Sequence, residues 1–210
     1  MNSQQILLAL RGQVNYNVVN FIGCLPSNEV AHLDLSHYHK DGKPIVFIAN
    51  VLSSEQLHVM GHWVVFYIKG KCIYFFDSYA LKPRLYSKHF GHFFNNHEGY
   101  TILKHKFRLQ SDDSLVCGVY CIQFVYLVSQ RGIIKTCEYL RNIYHKNNYV
   151  MNDRKVLRFA YKTFIMPPCA KTFSKKTNKF GYDIQILPAA VLRLRKEEEK
   201  KNTPVAPSLQ

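Results

Sequence analysis

Apolar residues gather in short dense runs in the first half of the chain and at helical spacing in the second. Residues 44–50 (PIVFIAN), 62–68 (HWVVFYI) and 71–76 (KCIYFF) are β-branched or aromatic along most of their length, which predicts buried strands. Lys69-Gly70 between the last two predicts an antiparallel hairpin. With those two residues as its loop, Ile68 faces Lys71 and, further out along the ladder, His62 faces Asp77. Directly opposed residues share a face with Cβ atoms about 4.5–5.5 Å apart, close enough for an imidazole to bond a carboxylate. A slip of one residue would send one of the two side chains to the other face. Residues 101–109 set Leu103, Phe107 and Leu109 against Lys104, Lys106 and Arg108, predicting a half-buried strand that delivers Gln110 at its end.

Helical signals frame these strands. Ser3 is placed to cap a short helix through Leu10, and residues 20–26 (NFIGCLP) read as an irregular lead-in to the sheet. Residues 83–95 predict a helix with Leu85, Phe90, Phe93 and Phe94 on its apolar side, stopped by 95–99 (NNHEG). Residues 111–114 (SDDS) supply turn and N-cap chemistry for a helix over 115–130, which is apolar on nearly every side and therefore central and buried. Amphipathic helices follow over 136–145 and 153–165, ended by Pro167-Pro168. Residues 171–179 read as a basic loop, and residues 188–210 as a charged tail on a single 1–187 domain.

A chain of 210 residues with 47% hydrophobic and 14% aromatic content folds around one core and is not of the disordered class. The apolar stretch 6–10 is cut by Arg11 and lacks a basic n-region or cleavage site, so no secretion signal is expected. No apolar run approaches the ~18–20 residues of a membrane helix, so a soluble protein without a transmembrane segment is expected. The six cysteines lack the dense spacing of a disulfide-stapled module and read as mainly reduced thiols. Cys117 and Cys121 would share a helix face, but no second Cys or His pair has zinc-ligand spacing, so no metal site is expected. Lys and Arg outnumber Asp and Glu 28 to 14, a net charge of +14 that attracts polyanions or simply solubilises the surface.

Four residues in these elements carry a chemistry together. Cys117, in the first turn of the central helix, sits where backbone N–H groups and the helix dipole favour a thiolate. Asp112 and Asp113 oppose that effect, so a neighbouring imidazolium is wanted, and His62 held by Asp77 would supply it. Gly118 leaves room for a substrate backbone to come close. Gln110 would aim an amide N–H at a developing oxyanion, together with the Cys117 backbone N–H. Singly, each residue has an ordinary reading: a buried structural cysteine, one of ten histidines, a strand-ending aspartate, a loop glutamine. Their order and context are what point to catalysis.

Gly61-His62-Trp63, Phe76-Asp77-Ser78, Gln110 and Val116-Cys117-Gly118-Val119-Tyr120-Cys121, in that order, resemble the adenain-like cysteine endopeptidases of adenoviruses, other DNA viruses and virus-like transposons. That family shares its fold with the SUMO and ubiquitin-like-protein proteases. The resemblance spans roughly residues 17–165, residues 20–26 being similar to the family's N-terminal segment. It implies an α+β, papain-like fold with a central sheet beside a buried nucleophile helix, and peptide hydrolysis through an acyl-enzyme. The catalytic set would be His62, Asp77, Gln110 and Cys117, with Trp63 lining or supporting a narrow cleft that favours glycine before the scissile bond; as a plain core aromatic, Trp63 reads equally well. It further implies capsid and core precursors as substrates, DNA as an activating partner, a monomer, and a place in the host nucleus or the virion. The adenovirus enzyme's activating peptide is disulfide-bonded to a cysteine between the acidic residue and the glutamine, and no cysteine lies between Asp77 and Gln110. In the SUMO proteases an aspartate usually precedes the nucleophile; Val116 stands here, which moves the reading toward the viral branch. A SUMO or ubiquitin-like isopeptidase and a non-catalytic basic DNA-binding virion protein are the competing readings.

Overall fold

The computed structural model describes residues 1–38, 41–56 and 61–164. The predicted basic loop and charged tail lie outside the described residues. Five strands form one mixed sheet in sequential order: β1 (Asn20–Pro26), β2 (Ile45–Asn50), β3 (Trp63–Lys69), β4 (Cys72–Phe76) and β5 (Thr101–Lys104). The inner pairs are antiparallel, while β1–β2 and β4–β5 are parallel. Parallel neighbours need a crossover, and α2 (Ser27–Ala31) and α3 (Lys88–Asn96) lie in the two crossover connections. The remaining helices are α1 (Ser3–Leu10), α4 (Cys117–Ile143) and α5 (Tyr149–Thr163). The architecture is α+β, with the central sheet beside the buried helix that carries Cys117, as expected.

Both faces of the sheet are covered, which explains why its inner strands read as continuous apolar runs. Val46, Ile48, Val65, Tyr67 and Phe76 face a core shared with α1, α4 and α5. The alternate residues Ile45, Phe47, Val64, Phe66, Ile73 and Phe75 face a second core closed by Phe90, Phe93 and Phe94 of α3. Phe66 is at its centre, stacked on Phe47 at 4.8 Å between ring centroids and edge-on to Phe75 and Phe90, each at 5.2 Å.

Several expected boundaries move. Residues 20–26 are not irregular but form an edge strand, with a register shift between Phe21 and Gly23 where Gly23 takes a φ of 113°. The hairpin register is displaced by two: Ile68 pairs with Ile73 and Lys69 with Cys72, so Gly70-Lys71 is the loop. Asn2, not Ser3, caps α1, in a capping box with Gln5. The 83–95 helix is a 3₁₀ turn at Pro83–Leu85 followed by α3, capped by Ser87. β5 ends at Lys104 with mostly exposed side chains, and 105–116 is irregular, so Gln110 stands in a loop and not at a strand end. No side chain caps α4; the N-cap is Val116, not a residue of 111–114. α4 runs on to Ile143 through a kink at Gly132 (φ 75°), absorbing most of the separate 136–145 helix. α4 is long and apolar enough, by length and composition alone, to cross a membrane, which the sequence reading did not expect, but 67% of that stretch is buried inside the fold, as in a core helix.

Phe66→Ala should lower unfolding stability by about 3–5 kcal/mol, read as a reduced urea midpoint at unchanged slope.

Candidate active site

Asp77 directly follows β4, and the chain turns sharply behind it. Ala80 N–H donates to the Asp77 carbonyl at 3.0 Å, and Ala80 takes a φ of 59°. A residue with a Cβ adopts that left-handed conformation at a cost of about 1–3 kcal/mol. The turn aims two backbone N–H groups at the carboxylate, Tyr79 to Oδ1 at 3.0 Å and Leu81 to Oδ2 at 2.8 Å. The Tyr86 hydroxyl adds a bond to Oδ2 at 2.8 Å, and His62 Nε2 one to Oδ1 at 2.7 Å. Asp77 is fully buried and every part of its carboxylate is engaged. Burial alone would raise its pKa; the His62 contact and the two backbone donors reverse the sign and hold it below the ordinary value.

His62, fully buried just before β3, packs its ring 5.0 Å from Tyr79 and 5.2 Å from Tyr86 between centroids. Gly61 before it is forced by space: a Cβ there would coincide with the Asn50 side-chain amide, whose oxygen accepts from Leu52 N–H at 3.0 Å. Nε2 is taken by Asp77, while Nδ1 is buried with no hydrogen-bond partner, and the Cys117 sulfur lies close enough for its charge to act on the ring. Burial would lower the imidazole pKa, but Cys117 and Asp77 together raise it to about 10.

Cys117 is the first residue of α4 and is buried. Desolvation pushes its thiol up, and the His62 charge, the nearness of the imidazole and the Trp63 backbone more than offset that, leaving it below the ordinary thiol value. Cys24, Cys121 and Cys137 are pushed the other way by burial, Cys24 to about 12. The opposition expected from Asp112 is blunted, because Arg108 pairs with it at 2.7 Å.

Gln110 joins this group through a loop. It is fully buried; its Oε1 accepts from Ser78 Oγ at 2.7 Å and its Nε2 donates to the Ser114 carbonyl at 2.7 Å. Ser78 follows Asp77, and Ser114 lies three residues before Cys117, so both ends of the amide are tied to the site. The amide carries two N–H donors, and the Ser114 bond uses one.

Trp63 is 6% exposed and belongs to the core, yet it also touches the site: its Cδ1 would lie 3.4 Å from a Cβ on Gly118. The space over Gly118 is not open as expected. Met1 fills it, with its Cβ and Sδ at 3.4 and 3.5 Å from that same position, and the Trp63 indole N–H donates to the Met1 carbonyl at 2.9 Å. Sequence reasoning missed Met1, Ser78, Tyr79 and Tyr86. Ser78 and Tyr79 adjoin Asp77 and could have been suspected, whereas nothing local marks Met1 or Tyr86. Among the described residues, no three His, Cys, Asp or Glu residues are grouped to hold a metal ion.

No protein-family model matches the chain, and no curated protein matches it. Among solved structures, it is similar to one described as the crystal structure of the de-sumoylating protease, with a TM-score of 0.43 and 13% sequence identity over 95% of this chain and 81% of that one.

Proposed function

We propose that the chain is a cysteine peptidase in which Cys117 is the nucleophile, His62 its proton-transfer partner, Asp77 the group that orients and charges His62, and Gln110 an oxyanion donor. The observation that carries this reading is a buried thiol, first in its helix, whose pKa is lowered against full desolvation by an imidazole that is itself bonded to a buried carboxylate. Structural cysteines shift the other way, as Cys121 does one turn later.

The steps follow from these positions. The Cys117 thiolate attacks the peptide carbonyl carbon, and the oxygen takes up the electron pair between the Cys117 N–H and the remaining Gln110 N–H. The tetrahedral intermediate collapses as His62 passes its proton to the amine, which leaves. Water, deprotonated by His62, then attacks the thioester carbon and releases the acid with the thiolate restored. Asp77 keeps its four bonds throughout and stabilises the imidazolium.

In its finer form the reading is an adenain-like maturation endopeptidase of a DNA virus or virus-like transposon, cleaving capsid and core precursors beside glycine. The space over Gly118 beside Trp63 is held by Met1, so a substrate backbone reaches Cys117 from that side by displacing Met1. The net charge of +14, and the grouping of Lys82, Arg84 and Lys104 around one groove with Phe94 and Ile102, support a polyanionic activator such as DNA or an acidic peptide. Nuclear or virion localisation belongs to this proposal.

Incubating the protein, with and without DNA, with glycine-containing peptides from capsid proteins of its own genome should give cleavage abolished by Cys117→Ala, and DNA stimulation that falls steeply with salt. Release of a Gly-Gly-linked modifier with no endopeptidase cleavage would instead establish an isopeptidase. Absence of both, with Cys117 alkylated no faster than Cys137, would leave a non-catalytic basic protein.

The kcat/KM profile should be bell-shaped. Its acid limb follows the lowered Cys117 pKa and lies below the ordinary thiol value; its alkaline limb follows His62 loss of a proton near pH 10. Tyr86→Phe removes one neutral donor from Asp77 and should lower kcat about 3–10-fold with KM little changed, corresponding to the ~0.5–1.5 kcal/mol of one hydrogen bond.

A further inference from the structure

The loop that carries Gln110 has no strand or cap to hold it, yet its far side is tied to α5, a helix with no residue in the candidate site. Asp153, in that helix and 7% exposed, accepts from the Ser111 N–H at 3.2 Å and from the Ser111 hydroxyl at 2.5 Å through Oδ2. Its other oxygen accepts from the Tyr120 hydroxyl at 3.0 Å. Ser111 follows Gln110 in the chain, and Tyr120 stands one turn after Cys117 in α4. One carboxylate therefore grips both the oxyanion-donor loop and the nucleophile helix. The neighbouring Asn152, fully buried, donates to the Leu109 carbonyl at 3.1 Å, on the opposite side of Gln110, and to the His145 carbonyl at 2.8 Å. The Tyr120 hydroxyl closes the arrangement with a second contact to Leu109 O at 3.3 Å.

We propose that Asp153, supported by Asn152, is a positioning residue that fixes the Gln110 amide relative to Cys117 by clamping Ser111 and Tyr120 together. The proposal rests on the peptidase reading above. The clamp is suited to that task because its three donors come from two different segments, so loss of the carboxylate frees the loop without touching His62, Asp77 or the thiol. Asparagine at this position has one acceptor oxygen and an NH₂ group, and cannot satisfy the Ser111 N–H and the Tyr120 hydroxyl with separate oxygens. The loop would then drift by a fraction of an ångström, and oxyanion stabilisation is steep in that distance.

The test separates oxyanion-dependent from oxyanion-independent chemistry. Asp153→Asn should lower kcat about 10–100-fold with KM within about twofold, and weaken a peptide-aldehyde inhibitor, whose adduct needs the oxyanion donors, by a similar factor. Alkylation of Cys117 by iodoacetamide, which needs only the thiolate, should stay within about twofold of wild type. In a Gln110→Ala background, Asp153→Asn should change kcat by less than about threefold, because residues that act through one another are not additive. Ser111→Ala, a milder cut of the same clamp, provides the same comparison should Asp153→Asn fold poorly. Equal losses in both backgrounds, or alkylation that falls in step with kcat, would overturn the proposal. If wild-type protein lacks any peptidase activity, the peptidase reading has failed. Hydrogen exchange then decides the clamp alone: faster exchange at residues 109–114 in Asp153→Asn supports it, and unchanged exchange overturns it.

Discussion

A carboxylate removed from water is the constraint on which the rest of the candidate site depends. An unpaired buried charge costs several kcal/mol, so the fold must bring donors to Asp77 from several directions at once. It does so with His62 just before β3, the strained turn at Ala80 that delivers the Tyr79 and Leu81 amides, and Tyr86 beyond it. With four donors in place Asp77 stays ionised, and an ionised Asp77 is what makes a charged His62 tolerable where water cannot reach. The lowered Cys117 thiol is the third member of that chain, since its stabilisation comes chiefly from the His62 charge. The strain at Ala80 is thereby explained as the cost of putting two N–H groups on one carboxylate.

The strand runs and the pairing of His62 with Asp77 were legible because both depend on a period of two. The loop was placed one position too early, at Lys69-Gly70, when glycine belongs at the first loop position: Gly70 has a φ of 53°, and tight hairpin turns require positive φ there. The resulting register error was two residues, and an even slip keeps every side chain on its face. His62 and Asp77 therefore meet diagonally rather than directly across, within reach of a long imidazole. Face was encoded more robustly than register.

The segments that misled share a different property: their shape is set by distant partners. Residues 101–109 do alternate, but only Leu103 of the predicted apolar face lies in the strand and it is exposed, while Phe107 and Leu109 reach the core from the irregular segment beyond Lys104. Beyond it the chain follows the Ser78 carbonyl, which accepts from both the Leu109 and Gln110 N–H groups, and the Asp153 carboxylate, which accepts from Ser111. Neither tie leaves a trace in the local pattern. Residues 20–26 read as irregular because Gly23 and Pro26 break strand propensity, although an edge strand accommodates a bulge at the one and a terminus at the other. Met1 is the extreme case, reaching the site only because α1 docks Ile6, Ala9 and Leu10 into the core and so carries its own start over Gly118.

Burial alone does not fix the direction in which a titratable group shifts, as two pairs within this chain show. His105 is as enclosed as His62, but its near partners are the Tyr74 hydroxyl and the Phe76 and Phe107 rings, so desolvation prevails and its pKa falls to about 4. His62 has a carboxylate on Nε2 and the Cys117 sulfur near enough for its charge to act, and its pKa rises to about 10. Cys117 and Cys121 share a helix and nearly the same exposure, yet only Cys117 reaches the imidazole, and their thiols shift in opposite directions. Where desolvation prevails, His105 falls and Cys121 rises; His62 and Cys117 go the other way because each has the other's charge beside it, with Asp77 behind the imidazole. The candidate site thus rests on charge pairing around the turn after β4, while the sheet, both cores and α5 keep that turn, the loop and the helix start in register with one another.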